Sequence, residues 1–179
     1  MIRDYLLHDY TVSSEILVSP LKETDLGFTL ESRNMPGVRE FFFDQRVISC
    51  DMHRQWFDGY LTKQNECMFC IFFNGVRAGQ IGFYNYDQQQ RSLEVGRLFV
   101  ASRLQGHGIM KATLRHLLAH MCGIEIVDKI VLYCKRTNSR AIDLYDSLGF
   151  REISRQSKLA AGDISMKMIY LCGRGRCAD

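Results

Sequence analysis

The sequence predicts a single-domain α/β protein, and three stretches carry that expectation. Residues 94–121 read as strand, turn and helix: Glu94-Val-Gly-Arg-Leu-Phe-Val100 is β-rich, Gly106-His-Gly108 breaks it, and an amphipathic run continues to Met121. Asn74-Gly75, between two β-rich runs, is the strongest short hairpin signal in the chain. The apolar run Lys129-Ile-Val-Leu-Tyr-Cys134 leads to a helical pattern over Ser139–Leu148, closed by Gly149 as a left-handed cap. With 179 residues, 46% of them hydrophobic, the chain is long enough for one well-buried core and short for two.

The remaining elements follow in order. Residues 1–14 carry no decisive pattern and read as an N-terminal extension packed on the domain. Glu15–Leu21 is β-rich and reads as the first strand. Glu23–Arg33 has acidic residues in its first turn and apolar residues near helical spacing, which predicts a helix interrupted by Pro36-Gly37. Val38–Phe43 continues as a second helical piece, and Asp51–Thr62 is a helix opened by Ser49 or Asp51. Met68–Phe73 and Val76–Tyr86 flank the hairpin turn, and Asp87–Arg91 is a polar turn into the Ser92–Val100 strand. Phe150–Ser154 and Ile164–Cys172 finish the sheet, and residues 173–179 form a flexible tail.

Composition narrows the function. The net charge of +3 is spread along the chain without a run of five or six basic residues, which favours an anionic small molecule over nucleic acid as partner. No stretch approaches eighteen consecutive apolar residues and the N-terminus lacks a signal-peptide pattern, so the expectation is a cytoplasmic protein with no membrane partner. Of seven cysteines, Cys67, Cys70, Cys122, Cys134 and Cys172 fall in strands or helices, which predicts reduced, buried thiols without disulfides. Cys67-Met-Phe-Cys70 has the spacing of a metal half-site but no downstream partner pair, and residues three apart on a strand face opposite sides, so no metal is expected.

Gly106 and Gly108 let successive backbone N–H groups turn into one concavity, and the helix opening there adds the positive end of its dipole, so the turn suits a phosphate. The third glycine of a dinucleotide fold and the Gly-Lys-Ser/Thr of a nucleoside triphosphatase are both missing. Arg103-x-x-Gly106-x-Gly108 instead resembles the pyrophosphate loop of the GNAT superfamily of N-acetyltransferases. Asn138-Ser-Arg-Ala-Ile-Asp-Leu-Tyr145-Asp-Ser-Leu-Gly-Phe150, thirty residues after Gly108, is similar to the motif that follows the superfamily's fifth strand.

The resemblance implies a GNAT fold: a central mixed, mostly antiparallel sheet of six to seven strands, flanked by about four helices and splayed at the fourth and fifth strands. It implies acetyl-CoA as cosubstrate, its pyrophosphate on backbone N–H groups of Gln105, Gly106, His107, Gly108, Ile109 and Met110, with Arg103 adding charge. Leu98, Phe99 and Val100 would pair with the pantetheine arm, a backbone N–H near Phe99 would polarise the thioester carbonyl, and Asn138 and Arg140 would join the cofactor site. Asn138 is equally a helix N-cap. By the same resemblance Tyr145 protonates the CoA thiolate; its alternative is a helix tyrosine in the core. Glu94 is either the base that takes the ammonium proton or a structural carboxylate bonded across the sheet, with Asp87 and His53 as weaker substitutes.

The acceptor has to be read from the first third of the chain. Arg33-Asn34, Val38-Arg39, Ile48 and His53-x-x-Trp56-Phe57 resemble the aminosugar N-acetyltransferases of nucleotide-linked sugar pathways, and enzymes that acetylate ribosomal-protein N-termini share parts of the series. A nucleotide-sugar acceptor needs cations for its diphosphate and a planar face for its base; Arg33, Asn34, Arg39, Trp56 and Tyr84 form the candidate set. Trp56, Phe57 and Phe41–Phe43 can as well be core, and Glu31, Glu40 and Asp44 would suit the ammonium of a peptide. The acceptor is therefore read as a small-molecule amine, foremost a nucleotide-linked amino sugar, with a protein N-terminus or another small amine as the alternative. A monomer or homodimer is expected. An acyl-CoA sensor without turnover is the reading from another class.

Overall fold

The computed structural model describes residues 2–156 and 165–173, with eight strands and six α-helices among them. Helix α1 (Ile2–Leu6) and strand β1 (Tyr10–Thr11) come first, then β2 (Ile16–Pro20), α2 (Leu26–Asn34), α3 (Pro36–Arg39) and α4 (Cys50–Thr62). Strands β3 (Cys67–Phe73), β4 (Val76–Asp87) and β5 (Ser92–Val100) precede α5 (Ile109–Gly123), and β6 (Lys129–Lys135), α6 (Ser139–Leu148), β7 (Arg151–Gln156) and β8 (Ser165–Leu171) complete the chain. All eight strands form one sheet in the order β1-β2-β3-β4-β5-β6-β8-β7, antiparallel at every step except β5–β6. The architecture is the GNAT fold that the sequence motifs implied, with β1 as a strand beyond the six to seven expected.

Local chemistry explains the boundaries. Asn74 (φ 49°) and Gly75 (φ 77°) both sit in the left-handed region that a two-residue hairpin requires. Ser49 caps α4 by accepting from the Met52 amide at 3.2 Å, and Gly149 (φ 98°) ends α6 with the Phe150 N–H returned to the Tyr145 carbonyl. Pro36 opens α3, where its missing N–H costs nothing, so the helical turn begins at the residue that sequence alone reads as its interruption. The segment 2–14 is part of the packing: Ile2, Leu6 and Tyr10 are buried, and β1 pairs with β2. The strand expected at Ile164–Cys172 is described from Ser165, and the tail expected at 173–179 lies outside the described residues beyond Gly173.

Two apolar clusters cover the two faces of the sheet. The larger contains α1, Leu114, Leu117, Leu118 and Met121 of α5, Tyr145 of α6, and the strand residues Phe69, Ile81, Phe83, Val95 and Ile130. The smaller seats Phe57 and Tyr60 of α4 on Met68 and Cys70. Cys67 belongs to the first and Cys70 to the second, as three-residue spacing on a strand requires, and burial pushes both thiols up to about 12. No helix among the described residues is long and apolar enough to cross a membrane.

The parallel β5–β6 ladder is short. Ser92, Leu93 and Glu94 pair with Lys129, Ile130 and Val131, and nothing beyond Glu94 is in register with β6. From there β5 stays with β4 and β6 stays with β8, so the sheet opens into a V.

Cys122, in the last turn of α5, and Cys172, just after β8, are joined in a disulfide with Cα atoms 4.9 Å apart. This corrects the expectation of reduced thiols at these two positions: the fold brings together residues 50 apart in sequence, which spacing along the chain does not reveal. A cross-link over that separation restricts the unfolded chain, so reduction or Cys172→Ser is expected to lower the unfolding free energy by about 2–4 kcal/mol. Urea unfolding with and without reductant measures it; coincident midpoints would show that the bond contributes nothing.

Candidate active site

A cleft of about 1260 Å³ occupies the V between β5 and β6. One end is the turn after β5. Gly106 (φ 86°) and Gly108 (φ 71°) take left-handed conformations, nothing lies within 4 Å of where a Cβ would stand on either, and no side chain caps α5 at Gly108. The first N–H groups of an α-helix have no partner inside the helix, so those opening α5 are directed at the cleft. Gln105, Gly106, Gly108, Ile109 and Met110 line this end, together with Leu98, Phe99 and Val100 of β5. The concavity fits a diphosphate by its donor set and by the free space beside its glycines.

Arg103 and His107 are not among the lining residues. Arg103 donates to the Arg77 carbonyl at 3.4 Å, and His107 turns to the Leu104 and Gln105 carbonyls and the Phe73 ring. Arg140 lines the cleft and donates to Gln105 Oε1 at 2.8 Å. Asn138 lines the cleft while its Oδ1 caps α6 by accepting from the Ala141 amide at 3.1 Å.

Tyr145 of α6 and Glu94, the last residue of β5 paired with β6, line the same cleft. Tyr145 is buried; burial foremost, then the neighbouring Cys134 and Tyr84, raise its hydroxyl well above the ordinary tyrosine value. Glu94 faces Tyr84 directly across β4–β5 and accepts a hydrogen bond from its hydroxyl and another, at 3.0 Å, from Asn85 Nδ2. Burial and the Glu94 charge raise Tyr84, which keeps its proton and remains a donor. Glu94 is thus bonded across the sheet and also presented to the cleft.

The acceptor end is bounded by Phe41, Phe42 and Phe43 after α3, with Glu40, Asp44, Arg97 and Lys135. Of the five acceptor candidates, the cleft receives Tyr84 alone. Arg33 is buried, donates to the Asp44 carbonyl and stacks on Phe42 at 4.1 Å; burial lowers its pKa. Asn34 is committed to both backbone groups of Ile48, at 2.8 and 2.9 Å. Arg39 is half-buried outside the lining, and Trp56 is stacked between His53 and Tyr60. His53 shares a 2.9 Å hydrogen bond with Thr29 Oγ1 and is held neutral by burial, and Asp87 caps the turn amides of Gln89 and Gln90, so neither substitute base is at the cleft. Sequence reasoning missed Arg97, Lys111 and Lys135. Lys111 was legible as the first basic residue of α5; Arg97 and Lys135 depend on a bulge and on a contact over 95 residues.

The glycines of β4 and β5 are structural requirements. A methyl group on Gly96 would overlap the Tyr84 hydroxyl, one on Gly82 the Met68 thioether, and one on Gly79 the Phe99 carbonyl. Among the described residues no group of three or more His, Cys, Asp and Glu could hold a metal ion.

The model of the acetyltransferase (GNAT) family matches residues 31–150. A spermidine N(1)-acetyltransferase of Escherichia coli (strain K12) is 24% identical over 137 residues, covering 75% of this chain and 72% of that protein. Among solved structures, the chain is similar to the Vibrio cholerae spermidine N-acetyltransferase in complex with CoA and spermine (TM-score 0.80, 20% identity, 89% of this chain and 96% of that one). It is also similar to a Salmonella typhimurium acetyltransferase that modifies the N-terminal serine of a ribosomal protein (TM-score 0.80, 17% identity, 92% and 99%). The chain belongs to the GNAT acetyltransferase family and is an acetyltransferase using acetyl-CoA as cosubstrate.

Because Gly96 seats the Tyr84 hydroxyl that orients Glu94, Gly96→Ala is expected to lower kcat/KM for acetyl transfer about tenfold or more with acetyl-CoA affinity retained. Steady-state kinetics beside a CoA titration tests it, and an unchanged kcat/KM would show that the Tyr84–Glu94 pair has no part in turnover.

Proposed function

We propose that this member of the GNAT family moves the acetyl group of acetyl-CoA directly to a primary amine in a ternary complex, with Tyr145 as proton donor and Glu94 as acceptor-side carboxylate. The observation that carries the reading is that these two groups line one cleft whose far end is an uncapped helix N-terminus. Backbone donors from Gln105 to Met110, with Lys111 and Arg140 nearby, hold the cosubstrate's phosphates; β5 from Leu98 to Val100 runs along its arm. Acetyl-CoA supplies the activated acetyl group. Tyr145 holds its proton until a thiolate departs and then gives it up. Glu94, fixed by Tyr84 and Asn85, draws in the ammonium and takes its proton, directly or through a water.

The acceptor is a small amine that enters past Phe41–Phe43. A nucleotide-linked amino sugar is one such acceptor; of its five sequence candidates Tyr84 alone supports it from within the cleft. A second reading, transfer to a polypeptide N-terminus, is favoured by the exposed Glu40 and Phe41 at the rim. The likeness to the spermidine enzymes brings polyamines into the same test. A cytoplasmic enzyme, acting as a monomer or homodimer, is part of the same proposal. Thiol release from acetyl-CoA with nucleotide-linked amino sugars, short peptides with free N-termini, and polyamines tests the reading: turnover with one set names the acceptor class, and silence with all three beside tight CoA binding leaves a sensor.

Tyr145→Phe is expected to lower kcat by about 10²-fold or more with CoA affinity unchanged. Because burial raises Tyr145, its proton is kept throughout the range in which an amine acceptor loses its own. The wild-type rate is therefore expected to rise with pH through the acceptor's pKa, without a fall below the ordinary tyrosine value. A pH–rate profile that falls between pH 7 and about 9 would remove Tyr145 from the acid role.

A further inference from the structure

Glu94 and Arg97 lie three residues apart on β5, a spacing that puts side chains on opposite faces of a regular strand. Both line the cleft. The register explains it: Gln80 faces Phe99 and Gly82 faces Gly96, so Ile81 alone opposes both Arg97 and Leu98. Arg97 takes φ 54°, a left-handed conformation that a long side chain rarely adopts, and its carbonyl accepts from Gln80 Nε2 at 3.3 Å.

The strained backbone delivers a fixed cation. The Arg97 guanidinium lies over the Tyr84 ring at 4.6 Å and 5.7 Å from the Trp56 ring, and it donates to Glu66 Oε2 at 3.3 Å. Glu66 is buried and also accepts from Lys63 Nζ at 2.7 Å. Two cations on one carboxylate leave one positive charge, and of the two it is Arg97 that lines the cleft. Among the acids at this end, Asp44 is bound by Arg46 at 2.8 Å, which holds it down at about 2, and Glu40 is exposed at the rim. Lys135 also lines this end, buried, its Nζ donating to the Glu40 carbonyl at 2.9 Å.

We infer that Arg97 is a specificity-determining residue that binds an anionic group, phosphate or carboxylate, carried by the acceptor whose ammonium is received by Glu94. The inference rests on the amine-acetylation reading and names its substrate class: a small amine bearing an anion near its nitrogen. Polycationic amines meet a like charge where the acceptor's second group must sit. Arg97 suits the task because its planar fork stays charged at every accessible pH and pairs with two oxygens at once.

Trp56 is the single tryptophan of the chain and lies beside Arg97, so its emission reports on this end of the cleft. The test is a titration of CoA-loaded enzyme, wild type, Arg97→Lys and Arg97→Met, with O-phosphoethanolamine, β-alanine, ethanolamine and spermidine, followed by thiol-release kinetics on the same amines. The two anionic amines are expected to bind at least tenfold tighter than the other two, the tighter of them showing whether phosphate or carboxylate is preferred. Arg97→Met is expected to erase that difference through KM with kcat little changed, and Arg97→Lys to keep part of it, while CoA affinity stays constant in all three and reports their folding. Equal or tighter binding of spermidine or ethanolamine, no response to the anionic amines, or the same ranking in Arg97→Met would overturn the inference. Thiol release with cationic or neutral amines alone would sink the anion site and leave acetyl transfer standing. Arg97-dependent binding with no thiol release from any amine would do the reverse.

Discussion

The parallel pairing of β5 with β6 ends at Glu94 and Val131, and the rest of the site depends on that ending. Had the ladder continued to Val100, the backbone groups of Leu98–Val100 would be spent on β6 and no cleft would exist. Each arm is held by a strand on its far side, β4 for β5 and β8 for β6, so the opening is carried by two firm edges and requires no mobile loop. Glu94, the last paired residue of β5, stands at the apex. The glycine turn continues the same strand, so one short segment carries both the carboxylate and the phosphate cradle.

Close packing behind the V fixes what faces it. Gly96 leaves room for the Tyr84 hydroxyl, Gly82 for Met68 and Gly79 for the Phe99 carbonyl, and each of the three glycines lies on β4 or β5 where the two strands adjoin. Tyr84 then reaches Glu94, and Arg97 settles on the Tyr84 ring. At the acceptor end Lys135 places a cation on the Glu40 carbonyl, near the end of α3, which ties the phenylalanine loop to the strand below it. The acceptor wall is thus pinned to the arm that carries Tyr145 through β6 and α6.

The acceptor chemistry follows the charges that remain after pairing. Arg33, which the sequence offers as a phosphate ligand, is consumed inside the protein by the Asp44 carbonyl and the Phe42 ring; Asn34 is consumed by Ile48. These residues shape the acceptor loop from behind. The sequence pattern Arg33-Asn34 is the same whether the helix face turns outward or inward, and here both side chains turn inward.

The sequence by itself determined the order of elements from β2 onward, the hairpin at Asn74-Gly75, the glycine turn before α5, and the Asn138–Phe150 motif with Tyr145 in it. These were legible because each rests on local chemistry: left-handed backbone at glycine and asparagine, a cap at a helix end, a period of two or of about 3.6. What only the tertiary structure decided are the relations between distant segments. Cys122 meets Cys172, Lys135 meets Glu40, and a one-residue slip between β4 and β5 brings Arg97 to the same cleft as Glu94. The physical reason is that a bulge and a long-range contact are set by how whole strands align and pack, and the residues involved look, along the chain, like any others of their kind.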